Sequence, residues 1–264
     1  MDTMHLEVLL VREIIESFPQ VQAIVLWGGL ANQTHVAGQG DVDVAIILPY
    51  DAVEEHSIRA KLATLTQRFR TEYGMELDPA VITPGWLFAS PLSFLVESGI
   101  YTAHGVLQYL LKNQGKVIYG DSSVLDTIPY ITLNDALKSI VPLIKDKIRQ
   151  IRAELTMSGR TGREIDILEM SRRHLSTFLV FTRTIFSAET GQIASKLQAI
   201  DFVHDNYPQY TDFMGLLSSI HKNDGLEALP LSEVTVEEIC SYLGLVEEVY
   251  LRFSQESGNQ SNQL

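Results

Sequence analysis

Asp41 and Asp43 stand one residue apart at the head of an apolar run, just after a glycine-rich stretch. The segment reads Trp27-Gly28-Gly29, then a polar loop ending Gly38-Gln39-Gly40, then Asp41-Val42-Asp43-Val44-Ala45-Ile46-Ile47-Leu48. Side chains on a strand alternate faces, so the two carboxylates point one way and Val42 and Val44 the other. Two anions held this close repel unless a hard cation sits between them. Magnesium suits the position, because it binds through one or two carboxylates and keeps its other sites for water and substrate phosphates. Gly28, Gly29 and Gly40 carry no Cβ, so the backbone there can approach a polyphosphate and aim N–H groups at it. The pattern predicts metal-dependent handling of a nucleoside triphosphate.

An Asp-x-Asp pair alone is a weak signal, since most such pairs are solvated turn residues. Its setting makes it specific. The apolar run at 22–27 ends directly in Gly28-Gly29, and the acid pair opens a second apolar run. A third strand-like segment, Met75-Glu76-Leu77-Asp78-Pro79-Ala80-Val81-Ile82, brings further acids to an apolar strand. Asp78 is the candidate third carboxylate and Glu76 the alternative. Pro79 lacks a ladder donor, which predicts an edge or irregular strand there.

The elements that must position these residues alternate in the first half. Helical spacing covers 5–18 (Leu6, Leu9, Leu10, Ile14, Ile15), and a second helix runs from about Ala52 to Tyr73 with Ile58, Leu62, Leu65 and Phe69 on one stripe. A Pro84-Gly85 turn, a helix near 101–113 and a short closing strand, Lys116-Val117-Ile118-Tyr119, complete a unit expected over 1–125. From there to residue 253 nearly everything reads at helical spacing: 133–157, 163–187, 191–206, 209–222 and 234–253. The polar segment 254–264 reads as a disordered tail. The expected fold class is α+β: a small mixed-sheet domain followed by an all-α helical bundle.

At 264 residues the chain can bury one large core or two modest ones. Its net charge of −13 disfavours nucleic acid, whose binding is driven by cationic side chains, and favours a cationic small molecule. The single cysteine, Cys240, excludes an intramolecular disulfide, and no cysteine–histidine cluster has zinc spacing. The first residues lack a basic stretch followed by an apolar core, and no apolar run approaches a membrane span, so the expected location is the cytoplasm.

On these residues the chain resembles the polymerase-β-like nucleotidyltransferases, and within them the aminoglycoside adenylyltransferases that modify streptomycin and spectinomycin. Gly28, Gly29, Gly40, Asp41 and Asp43 fall at the places of the family's first motif, and Asp78 matches its later carboxylate. The segment Phe181-Thr182-Arg183 through Ala194-Ser195-Lys196 is similar to the one following the family's substrate-binding helix. There the resemblance implies that Arg183 and Lys196 reach the triphosphate. It further implies Asp41, Asp43 and Asp78 as catalytic metal ligands, Mg²⁺ as cofactor, and ATP as co-substrate. The implied reaction transfers AMP to a hydroxyl of a small acceptor, an aminoglycoside-type antibiotic among the candidates, with release of pyrophosphate. Adenylylation of a protein or tRNA and a non-catalytic nucleotide-binding module are the alternatives. Gly29 and Gly40 stand where the family carries serine, leaving only backbone N–H donors there. Arg173 stands where the streptomycin enzymes carry an acid, and the chain between Asp78 and Tyr119 is shorter than theirs. Asp166 and Glu169 remain as acids that could hold ammonium groups, or simply a solvated helix face.

Overall fold

The computed structural model describes residues 3–31, 41–49, 54–87, 92–102, 105–161, 166–222 and 234–259. The chain divides into two compact units, Met1–Ala136 and Leu137–Leu264. The first contains, in order, α1 (Thr3–Ser17), β1 (Ala23–Leu26), the single turn α2 (Gly28–Ala31), β2 (Val42–Ile47), α3 (Glu55–Tyr73) and β3 (Leu77–Ile82). The single turn α4 (Pro84–Leu87), β4 (Ser93–Val96), β5 (Gly99–Thr102), α5 (Gly105–Gln114), β6 (Lys116–Gly120) and a 3-10 helix (Ser122–Thr127) follow.

The strands form one sheet in the order β5-β4-β3-β2-β1-β6, in which β2 and β3 run parallel and every other neighbouring pair antiparallel. A parallel pair needs a crossover, and α3 supplies it. Gly74 ends α3 with φ at 64°, a left-handed conformation natural to glycine, and turns the chain into β3.

Both faces of the sheet are covered. On one, Leu6, Leu10 and Ile14 of α1 and Ile58, Leu62, Leu65 and Phe69 of α3 pack on Ile24, Leu26, Val42, Val44, Ile46 and Val81. On the other, Val25, Ala45, Ile47, Ala80 and Ile82 meet Leu87, Phe94, Leu111 and Val124. Double-sided burial explains why β1 and β2 read as near-continuous apolar runs.

One charge is buried between α1 and α3. Glu13 accepts from Arg68 Nη1 at 2.7 Å, from Arg12 Nη2 at 2.7 Å and from the Tyr73 hydroxyl at 3.1 Å. The Arg68 hydrogen bond, helped by Arg12 and Tyr73, holds the Glu13 carboxyl below its ordinary value of 4.5 despite desolvation. Because the folded value is depressed, this contribution is fully present above pH 4.5 and is lost as pH falls through the lower folded value. Glu13→Gln is expected to cost about 2 kcal/mol at neutral pH, since charged hydrogen bonds are lost from a buried position. Thermal melts at pH 7 and in acid measure it; an equal melting temperature for both proteins at pH 7 would refute the assignment.

The second unit is helical: α6 (Leu133–Thr161, entering from the end of the first unit), α7 (Ile167–Arg173), α8 (Leu175–Thr190), α9 (Lys196–Asn206), a 3-10 turn (Pro208–Tyr210), α10 (Thr211–Lys222) and α11 (Val236–Asn259). Its core is aromatic: Phe178 meets Phe213 edge-on at 5.0 Å, and Phe213 meets Tyr242 at 5.3 Å. No helix among the described residues is long and apolar enough to cross a membrane.

Several sequence expectations need correction. The helix expected near 101–113 begins at Gly105, because Tyr101 and Thr102 belong to β5, the outer strand of an unanticipated hairpin. The Pro84-Gly85 turn is one turn of helix. Of the edge or irregular strand expected at Pro79, the edge is overturned, since β3 is interior, while its pairing with β4 at Val81↔Leu95 stops short of Pro79. The expected helix at 163–187 is two helices parted at His174, whose φ of −102° and ψ of 11° leave the helical region. Its Nε2 lies 2.9 Å from Glu154 Oε2, which anchors the break. The helix expected over 191–206 starts at Lys196, after Gly191 closes α8 at φ 67°. α11 continues to Asn259, past the expected start of the tail at Ser254, and 260–264 lie outside the described residues.

Candidate active site

Parallel pairing of β2 with β3 builds the site. The register sets Asp43 beside Asp78, with Val42 beside Leu77 and Ala45 beside Ala80. Asp41 sits immediately before β2, on the same side as Asp43 by strand alternation. Asp41, Asp43 and Asp78 each offer a carboxylate oxygen within 4.8 Å of the others. Asp43 is half-buried, and Asp41 and Asp78 are exposed. The sequence thus names three residues that the fold brings together.

β1 supplies the neighbouring backbone. Trp27 N–H donates to the Asp43 carbonyl at 3.2 Å, which places Gly28 over the Asp43 side chain. Gly28 has φ at 65°, and a Cβ built there would lie 2.1 Å from Asp43 Oδ2. Glycine is therefore required twice, for its backbone conformation and for the space that the carboxylate occupies. Gly29 follows within α2. Gly40 lies outside the described residues.

Desolvation, and secondarily the charge of Asp41, raises the Asp78 carboxyl above the usual aspartate range. The residue is accessible at its outer edge, yet protein around the carboxyl weakens its hydration. Glu76 behaves oppositely. Arg70 Nε donates to Glu76 Oε1 at 2.9 Å and Arg70 Nη2 to Oε2 at 2.7 Å. This fork holds the Glu76 carboxyl low, against desolvation and the nearby charge of Asp41. Of the two candidates for third carboxylate, Asp78 is the one in the cluster. Arg70 was not singled out from the sequence; an arginine in the last turn of α3, six residues before an acid, is the only local signal of it.

The donor set fits a hard divalent cation. All the ligand atoms are carboxylate oxygens, and there is no nitrogen or sulfur ligand in the group.

In the helical unit, Arg183 Nε donates to the Ala194 carbonyl at 3.0 Å, tying the α8–α9 connection. Ser195 caps α9 in a reciprocal capping box with Gln198, which sets Lys196 as the first residue of that helix. A lysine there opposes the helix dipole and gains when an anion is near. Arg173 is met by Glu154 at 2.8 Å and by Glu169 at 3.8 Å, so its charge is largely compensated. Asp166 caps α7 by accepting from Glu169 N–H at 2.9 Å.

No family model matches the chain, and no curated protein matches it in sequence. Among solved structures it is similar to the spectinomycin adenyltransferase AAD(9) from Enterococcus faecialis, crystallised with ATP and spectinomycin, at 13% identity and a TM-score of 0.63. That alignment covers 93% of this chain and 98% of the other. A chain of a toxin–antitoxin complex with AMP-PNP is 16% identical over 57% of this chain and 95% of its own, with a TM-score of 0.32. One from a Shewanella oneidensis complex of a tri-AMPylated HEPN toxin with its MNT antitoxin is 15% identical over 59% and 97%, at 0.31. The likeness to the adenyltransferase shows the fold: the expected α+β class, with a mixed-sheet unit followed by a helical one.

Proposed function

We propose that the chain is a Mg²⁺-dependent adenylyltransferase that moves AMP from ATP to a hydroxyl of a small cationic molecule in the cytoplasm, releasing pyrophosphate. One observation carries this reading: three carboxylates from two parallel strands meet within 4.8 Å, beside a glycine whose missing Cβ the Asp43 carboxylate needs. The shared fold with an adenyltransferase that binds ATP and spectinomycin supports the choice of nucleotide and acceptor class.

Asp41, Asp43 and Asp78 would hold the ion, which when bound neutralises phosphate oxygens and favours in-line displacement at the α-phosphorus. The chain's own residues account for the rest. Gly28 and Gly29 give the triphosphate close approach to backbone N–H groups. Asp78, exposed beside the other two carboxylates, is the group assigned to take the proton from the attacking hydroxyl as the new O–P bond forms. The bond to pyrophosphate breaks in the same displacement. The first unit serves as the catalytic domain, and Arg183 and Lys196 of the helical unit serve the triphosphate. The charge of −13 suits a cationic acceptor.

The test incubates the purified protein with each α-labelled nucleoside triphosphate, Mg²⁺ and a panel of hydroxylated acceptors that includes spectinomycin and other aminoglycosides. Label from ATP should move to a small cationic acceptor. Label moving instead to a cellular protein would replace small-molecule transfer with protein adenylylation. Lys196→Ala is expected to raise KM for ATP about tenfold with a smaller change in kcat, as loss of one charged contact should. An unchanged KM would leave Lys196 as no more than the first residue of α9.

A further inference from the structure

Four carboxylates, rather than three, stand at the end of the β2–β3 pair. The register that sets Asp43 beside Asp78 begins at Val42 and Leu77, so Asp41 and Glu76 are the residues just before it, and Val42 N–H donates to the Glu76 carbonyl at 2.8 Å. Asp43 and Asp78 share a side of the sheet, while Glu76, just before β3, lies near enough to Asp41 to feel its charge. Among the described residues, only Asp41, Asp43 and Asp78 gather as a group. The fourth is engaged side-on by the Nε and Nη2 donors of the Arg70 guanidinium.

The arginine is delivered by backbone geometry. It stands in the last turn of α3, where a cation suits the helix dipole, and Gly74 then reverses the chain into β3. Stability gives little reason for the pair, because its side chains are 56% and 57% exposed and such pairs contribute little. Position gives a better one. A further carboxylate would tighten a divalent cation, since affinity rises with ligand charge, but would occupy coordination meant for phosphate oxygens and repel the triphosphate.

We infer that Arg70 is a positioning residue for the metal centre: by gripping Glu76 it withholds a fourth carboxylate and keeps the cluster at three. This rests on the metal-dependent reading above. A lysine could not hold both carboxylate oxygens in the same planar fork, so Arg70→Lys should behave part-way toward Arg70→Ala.

The experiment titrates Mn²⁺ into wild type, Arg70→Ala, Arg70→Lys, Glu76→Gln, the Arg70→Ala/Glu76→Gln double variant and Asp43→Asn. The electron paramagnetic resonance signal of the free ion reports binding, and thermal melts confirm folding. Arg70→Ala should bind Mn²⁺ about three- to tenfold more tightly than wild type, and ATP more weakly. Glu76→Gln and the double variant should both match wild type, because the released carboxylate is then absent. If Asp43→Asn loses Mn²⁺ while Arg70→Ala equals wild type, the inference is wrong and the metal reading stands. If Glu76→Gln loses Mn²⁺ as Asp43→Asn does, Glu76 is a ligand and the inference is overturned. Mn²⁺ binding that Asp43→Asn leaves intact would remove the metal reading and the inference with it.

Discussion

Asp43→Asn should lower nucleotidyl transfer by about a thousandfold or more while the protein melts at nearly the wild-type temperature. Asparagine keeps the shape of the side chain, so the β2 ladder and the Asp43↔Asp78 register have no steric reason to change. What disappears is a negative charge at the centre of a three-carboxylate group whose ligand atoms lie within 4.8 Å of one another. A divalent ion held by three anions depends on each of them, and phosphoryl transfer depends on charge neutralisation more than on covalent help from the protein. The measurement is single-turnover transfer at saturating Mg²⁺ and ATP, paired with circular-dichroism melts. Retained transfer in a folded Asp43→Asn protein would falsify the site assignment.

Gly28→Ala should be nearly as damaging, and it comes with an internal control. A Cβ at Gly28 would lie 2.1 Å from Asp43 Oδ2 and 3.1 Å from Cγ, so the carboxylate has to leave its place. The backbone φ of 65° adds strain for any side chain, on the order of 1–2 kcal/mol. Gly74 has almost the same φ, 64°, but a Cβ there would meet nothing within 4 Å. Gly74→Ala thus carries the strain without the collision. Both variants should lose stability in denaturant titrations, Gly28→Ala at least as much as Gly74→Ala. Only Gly28→Ala should lose transfer, by about a hundredfold, because a small misplacement of a reacting group costs that much. Equal activity in the two alanine variants would show that Gly28 serves the backbone alone.

Much of the site was legible because it depends on neighbours in the chain. Alternation along β2 puts Asp41 and Asp43 on one side whatever the strand packs against, and Val42 and Val44 opposite them are buried as that alternation requires. The stripe Ile58, Leu62, Leu65 and Phe69 declared α3 by its period, and all four residues are buried in the described fold. The division into a mixed α/β half and a helical half follows from the same periodicities.

What one strand cannot say about another had to come from the fold. At strand spacing Asp78 and Glu76 would share a face, and the sequence left both open as the third carboxylate. The choice came from Arg70, which reaches Glu76 from α3, and from the β2–β3 register that lines Asp78 up with Asp43. The β4–β5 hairpin escaped notice because its four-residue strands are too short to show a period, and pairing rather than pattern holds them. Pro79 told only half for the converse reason. Its missing N–H is a local property, but whether that donor is needed depends on how far the neighbouring ladder extends. Side-chain direction and helix faces are set within a few residues, where steric rules act. Register, partner strand and the pairing of charges are set by chain segments far apart in sequence, and folding alone brings those together.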